Sequence, residues 1–208
     1  MRIAAVCATP FQALNLVKLR LARWNQDQME VFFENDSAQM DAILKNLQKE
    51  GLFDRLYVFH YVPKDKKVEY LPNDFLQAAW PAAFINHQVA GGFRVKEHAY
   101  DMLTVTSGHD LEMALVRCYP GTRIIAYDDG LGSYEGDLIH DHHLNWIWRA
   151  LGRRNELIQP ECLYVNNPAY CRSTLTTRIE RIVGEKQANS GDEAIIRRIF
   201  APSGTRGH

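Results

Sequence analysis

The run Ile3-Ala4-Ala5-Val6-Cys7-Ala8-Thr9-Pro10-Phe11-Gln12 reads as a strand that passes directly into a helix. Residues 3–8 are a short apolar run, as expected of a strand covered on both faces. Thr9 is placed to cap the helix, and Pro10 suits the first helical position, where its missing N–H costs nothing. Phe11, Leu14, Val17, Leu21 and Trp24 then recur with helical spacing and predict one apolar face.

The same alternation continues downstream. Met29 to Glu34 predicts a second strand, and Asp36 with Gln39 resembles a capping box ahead of Met40, Ile43, Leu44 and Leu47. Leu56 to Tyr61 predicts a third strand, 62–73 a loop, and 75–88 a helix broken or re-aimed at Trp80-Pro81 and ended by Gly91-Gly92. Met102 to Thr106 and Arg123 to Tyr127 are further strands, with a helix over 109–118 between them. Parallel strands joined by right-handed helical crossovers are the natural packing of such a chain, so the expected fold is an α/β Rossmann-like, mainly parallel sheet with helices on both faces. Ligands of such sheets bind beyond the carboxyl ends of the strands, where Thr9-Pro10, Ser107-Gly108 and Asp128-Asp129-Gly130 are all expected to fall. Beyond Gly136 the pattern weakens. A helix is expected over His140 to Trp148, a strand at Cys162 to Val165 and a helix over 170–184, so that 1–184 forms the domain and 185–208 a mobile tail.

Composition bounds the function. With 208 residues, 46% hydrophobic and 24% charged, the chain can bury a sizeable core. Its 24 Lys and Arg nearly balance 25 Asp and Glu, which argues against nucleic acid as a general partner. Four cysteines without paired spacing, and nothing before Cys7 that resembles a secretory signal, fit a reduced cytoplasmic setting. No run approaches the ~20 apolar residues needed to span a bilayer, so any membrane contact is expected to be peripheral, at the inner face of the membrane, or through a partner.

Tyr127-Asp128-Asp129-Gly130-Leu131-Gly132-Ser133-Tyr134 holds the most chemistry. Adjacent carboxylates repel, which tends to raise one pKa and leaves one group suited to act as a base. Gly130 and Gly132 permit close backbone approach, while Ser133 and Tyr134 offer hydroxyls to a sugar or phosphate. A plain strand-to-loop turn is the competing reading, because Asp-Gly is common in turns.

Asp128-Asp129-Gly130 after such a strand resembles the Asp/Glu-Asp/Glu-Gly motif of bacterial sialyltransferases, and Cys7-Ala8-Thr9-Pro10-Phe11-Gln12 resembles the Cys-x-Thr-Pro-hydrophobic-Gln opening of the family 52 lipooligosaccharide sialyltransferases and related polysialyltransferase-like proteins. Leu163-Tyr164-Val165-Asn166-Asn167-Pro168 extends the similarity loosely, to about residue 170. The resemblance implies the amino-terminal half of a GT-B glycosyltransferase acting in lipooligosaccharide or capsule synthesis. It implies inverting transfer from CMP-sialic acid as donor substrate to a hydroxyl of a galactose-containing acceptor, with no metal or other cofactor. Asp128 would then be the general base and Asp129 its support, with Thr9, Pro10, Gln12, Ser107, Gly130, Gly132, Ser133 and Tyr134 around the substrate. A homodimer is implied by resemblance only. The family also carries a His-Pro motif in a second Rossmann-like domain. The 208 residues contain no His-Pro dipeptide and only about 40 follow Pro168, so an isolated domain is expected to lack robust transfer and to act alternatively as a binder of a glycan or partner chain.

Other candidates are weaker. His140-Asp141-His142-His143 has imidazoles and a carboxylate at close range, yet no partner at a standard zinc spacing, so a solvated helix start is the preferred reading. Ser107-Gly108-His109 reads as a helix cap that could also contact an anion. Trp146 and Trp148 could pack a carbohydrate but fit a core or interface stripe better. Gly130-x-Gly132-x-x-x-Gly136 is not the dinucleotide fingerprint, and phosphate-loop and nucleophile-elbow patterns are not found.

Overall fold

The computed structural model describes residues 1–35, 37–59, 76–77, 79–106, 110–130, 132–135, 160–171, 177–183 and 190–201. Its core is a seven-stranded sheet in the order β3-β2-β1-β4-β5-β6-β7, parallel throughout: β1 (Arg2–Cys7), β2 (Gln28–Glu34), β3 (Arg55–Phe59), β4 (Met102–Val105), β5 (Arg123–Tyr127), β6 (Cys162–Val165) and β7 (Arg178–Arg181). This is the Rossmann-like α/β arrangement. Ile3 pairs with Met29 on one side and Met102 on the other, so β1 stands where the strand order reverses.

Both faces of the sheet are covered, which explains the unbroken apolar strands. Ile3, Ala5 and Cys7 of β1 join Val31 and Phe33 of β2 under helices α1 (Pro10–Ala22) and α2 (Ala38–Glu50), while Ala4, Val6 and Phe32 face α3 (Pro81–Gln88) and α4 (Asp110–Cys118). The period-2 alternation of side chains divides each strand between two cores.

Four expectations change. Helix α1 buries Gln12, Ala13, Asn15, Leu16, Val17 and Leu19, whereas Phe11 is 41% exposed and Leu14 only partly covered. The inward face is rotated from the one read off the large apolar residues, because Gln12 and Asn15 are drawn inward by hydrogen-bonding partners in the loop after β5. The cap of α2 is Ser37, whose hydroxyl accepts from the Met40 N–H at 3.2 Å; Asp36 of the expected capping box lies outside the described residues. Within 170–184 the expected helix gives way, at 178–181, to β7, which pairs with β6 from Cys162↔Arg178 to Val165↔Arg181. Its charged, alternating Arg-Ile-Glu-Arg suits an edge strand, and Arg23, the C-cap of α1, ties Glu180 down at 2.9 Å.

Within the expected tail, Ser190–Phe200 forms helix α6, docked on α1 and α2. Ile199 is 1% exposed, Asn46 Nδ2 donates to its carbonyl at 2.8 Å, and Arg198 grips the Glu50 carboxylate through two bonds of 2.8 and 2.9 Å. Ile195, Ile196, Ile199 and Phe200, whose spacing suggests at most one or two short helical turns, supply the apolar stripe of this longer, docked helix. Helix α3 starts afresh at Pro81 after Trp80, whose backbone is not helical, in agreement with the expected break. No helix among the described residues is long and apolar enough to cross a membrane.

Candidate functional site

Four strands end on one rim. Thr9 follows β1, Thr106 follows β4, Asp128 follows β5 and Asn166 follows β6, so side chains far apart in sequence meet beside the point where strand order reverses.

On the β1 side, Thr9 is the N-cap of α1: its backbone is extended, its hydroxyl accepts from the Gln12 N–H at 3.2 Å, and Pro10 takes the first turn. Gln12 is wholly buried. Its Oε1 accepts from the Ala8 N–H at 2.6 Å, and that bond fixes the direction of the amide. Nε2 is thereby turned to Thr106 Oγ1, at 3.3 Å, and to Asp129 Oδ1. Thr106 in turn donates its hydroxyl, at 2.8 Å, and its N–H, at 2.6 Å, to Glu112 Oε1 of α4. A buried polar chain thus runs from α4 through the ends of β4 and β1 to the loop after β5.

That loop treats its two carboxylates differently. Asp128 is 0% exposed and surrounded by donors: the Gly130 N–H reaches Oδ1 at 2.9 Å, while Oδ2 receives the Tyr134 hydroxyl at 2.5 Å, the Asn166 N–H at 3.2 Å and Asn166 Nδ2 at 2.9 Å. Its carbonyl accepts from Asn15 Nδ2 at 2.9 Å, and Asn15 Oδ1 accepts from Asn166 at 3.0 Å. Buried carboxylates are costly unless satisfied in this way. Asp129 is only partly buried; its N–H donates to Ser133 Oγ at 2.8 Å, and its Oδ1 is held by Gln12. Gly130 makes the turn between them possible, with φ of 112°, a region that side-chain-bearing residues avoid.

The charge of Asp128 is felt around it. The Tyr134 hydroxyl is pushed up to about 12, first by burial and then by its bond to Asp128. Lys18, whose Nζ donates to Asn166 Oδ1 at 3.3 Å, is lowered by burial against the pull of Asp128. The Cys171 thiol is raised by burial and further by the same carboxylate.

Of the residues expected at the site, Thr9, Gln12, Asp128, Asp129, Gly130, Ser133 and Tyr134 are brought together, with Pro10 beside Thr9 and Gly132 opening the short helix α5 (Gly132–Glu135) that carries the last two. Gln12, Ser133 and Tyr134 direct their polar atoms into the protein, holding the loop. Ser107 lies outside the described residues, as do His140-Asp141-His142-His143, Trp146 and Trp148. Sequence reasoning missed Asn15, Asn166, Thr106, Glu112 and Lys18. Asn15 stands three residues after Gln12 inside an otherwise apolar helix face, a signal that could have marked it alongside Gln12. Among the described residues, no group of three or more His, Cys, Asp or Glu is arranged to hold a metal ion.

Compared with protein-family models, with curated proteins and with solved structures, the chain finds no match in any of the three.

Proposed function

We propose that the chain is the acceptor-side domain of a sialyltransferase-like glycosyltransferase, working in the cytoplasm on surface glycans of the lipooligosaccharide or capsule kind and moving a sialyl group, with inversion, from CMP-sialic acid to an acceptor sugar hydroxyl. The observation that carries this reading is the Asp128-Asp129 pair at the carboxyl end of β5, fixed by Gln12 from β1's helix and Asn166 from β6. The attacking hydroxyl must lose its proton as it bonds to the anomeric carbon, and a positioned carboxylate accepts it.

The resemblance would give that role to Asp128. Geometry favours Asp129: Asp128 is fully buried and meets four donors, whereas Asp129 is partly exposed, with one oxygen anchored by Gln12 and its backbone anchored by Ser133. In the proposed assignment Asp129 takes the proton and Asp128 holds the loop in place. The saturation of Asp128 also favours a second reading, in which the rim binds a glycan or partner chain without transfer.

The test is release of CMP from CMP-sialic acid with galactose-terminated acceptors. Acceptor-dependent release, weak for the isolated domain and abolished by Asp129→Asn, is expected. Release lost in folded Asp128→Asn but retained in Asp129→Asn would return the role of base to Asp128, and sugar binding without release would select the second reading.

A further inference from the structure

We propose that Tyr170 is a stacking platform that receives the apolar face of a neutral pyranose at the β6 side of the rim. This rests on the reading of the rim as a sugar site and adds a subsite to it.

A single exposed aromatic is ordinary on a protein surface; Tyr170, at 71% the most exposed large hydrophobic side chain among the described residues, is set apart by its fixed position beside the carboxylate loop. It stands on a short 3-10 helix, Pro168–Tyr170, directly after β6. That turn is held: Asn167 caps it by accepting from the Ala169 N–H at 3.2 Å, Pro168 restricts its first residue, and the Tyr170 N–H donates to the Asn167 carbonyl at 3.2 Å. The ring is further supported by Tyr134, centroid to centroid 6.4 Å in an edge-on arrangement with planes at 69°. The Tyr134 hydroxyl is the one bonded to Asp128 Oδ2. An exposed ring is therefore coupled, through a single residue, to the carboxylate loop.

The ligand class follows from charge. An aromatic face is electron-rich and attracts the polarised C–H groups on one side of a pyranose. A nucleobase could stack equally well, but its phosphates would approach Asp128 and Asp129, with Glu112 behind them, while Lys18 is the cation hydrogen-bonded into this cluster among the described residues. A neutral sugar meets no such repulsion, and its hydroxyls can donate to the partly exposed Asp129 carboxylate.

The experiment is ligand-observed NMR on the full chain with lactose and, separately, CMP, for wild type, Tyr170→Phe and Tyr170→Ala. Circular dichroism confirms that each variant is folded, as expected for so exposed a side chain. We expect lactose to bind wild type and Tyr170→Phe alike and Tyr170→Ala at least about fivefold more weakly, with any CMP binding unchanged by either substitution. Lactose binding that is unaltered in Tyr170→Ala overturns the platform. So does failure of wild type to bind lactose, or a loss in Tyr170→Ala that falls on CMP instead. Because binding is read without turnover, failure of CMP release alone would overturn the transferase reading and leave the platform standing.

Discussion

Gln12 and Asp129, 117 residues apart in the chain, are joined by a hydrogen bond from Nε2 to Oδ1. The bond is directional because Gln12 Oε1 is already committed to the Ala8 N–H, so the amide can present only its nitrogen to the carboxylate. One side chain at the first turn of α1 thereby registers the end of β1 against the loop after β5.

Replacing Gln12 with Leu keeps the approximate volume and removes three bonds. The buried Ala8 N–H loses its acceptor, and a cost of about 2 kcal/mol in urea denaturation is expected. Gln12→Glu retains an acceptor for Ala8 but sets a carboxylate against Asp129; its deficit should shrink as pH is lowered through the carboxylate range, where one of the two takes up a proton.

The two aspartates should separate in a stability measurement made without any substrate. Asp128→Asn turns an NH2 group toward donors whichever way the amide lies, since Gly130 points at one oxygen and Tyr134 and Asn166 at the other. A loss of about 1–3 kcal/mol is expected. Asp129→Asn can keep an oxygen toward Gln12 and should fall within about 0.5 kcal/mol of wild type. Equal losses would show that the two carboxylates share the structural task.

At alkaline pH the tyrosines set the limit. A tyrosine ordinarily ionises near pH 10; burial raises Tyr134 to about 12 and moves Tyr100, Tyr119 and Tyr127 upward too. The folded chain then holds protons that the unfolded chain gives up. Stability linked to these hydroxyls is complete below about pH 10 and declines as pH rises through 12 and beyond. Tyrosinate absorbance should accordingly appear together with unfolding, and Tyr134→Phe should remove part of the slope.

Helix α6 should behave as an integral part of the domain. Ile199→Ala is expected to cost about 2–4 kcal/mol, as for a core methylene deletion, in a single cooperative transition. Arg198→Ala, which removes an exposed pair with Glu50, should cost no more than about 1 kcal/mol and less at high salt. An unchanged midpoint in Ile199→Ala would mean that the helix is not coupled to the core.

Local chemistry made much of the fold legible. The run from Ile3 to Pro10 contains its strand, its cap and its helix start within a few residues, and Arg123–Tyr127 and Cys162–Val165 occur with the boundaries that their apolar runs predict. What went astray depended on distant partners. β7 has a charged, weakly apolar sequence and becomes a strand because β6 offers it an edge; α6 has few apolar residues and becomes a docked helix because α1 and α2 offer a surface and Glu50 and Asn46 offer bonds.

The sequence by itself determined the parallel α/β fold and the convergence of Thr9, Gln12, Asp128 and Asp129 on one rim, because strand periodicity, capping residues and the handedness of crossovers act over a few residues at a time. Only the tertiary structure decided what each does there. Whether a polar side chain faces a ligand or is consumed inside depends on which groups arrive from other strands: Asn166 and Tyr134 enclose Asp128, Gln12 turns inward, and Asp129 keeps access to the rim. A buried donor or acceptor must find a partner, and the partners here stand scores of residues away.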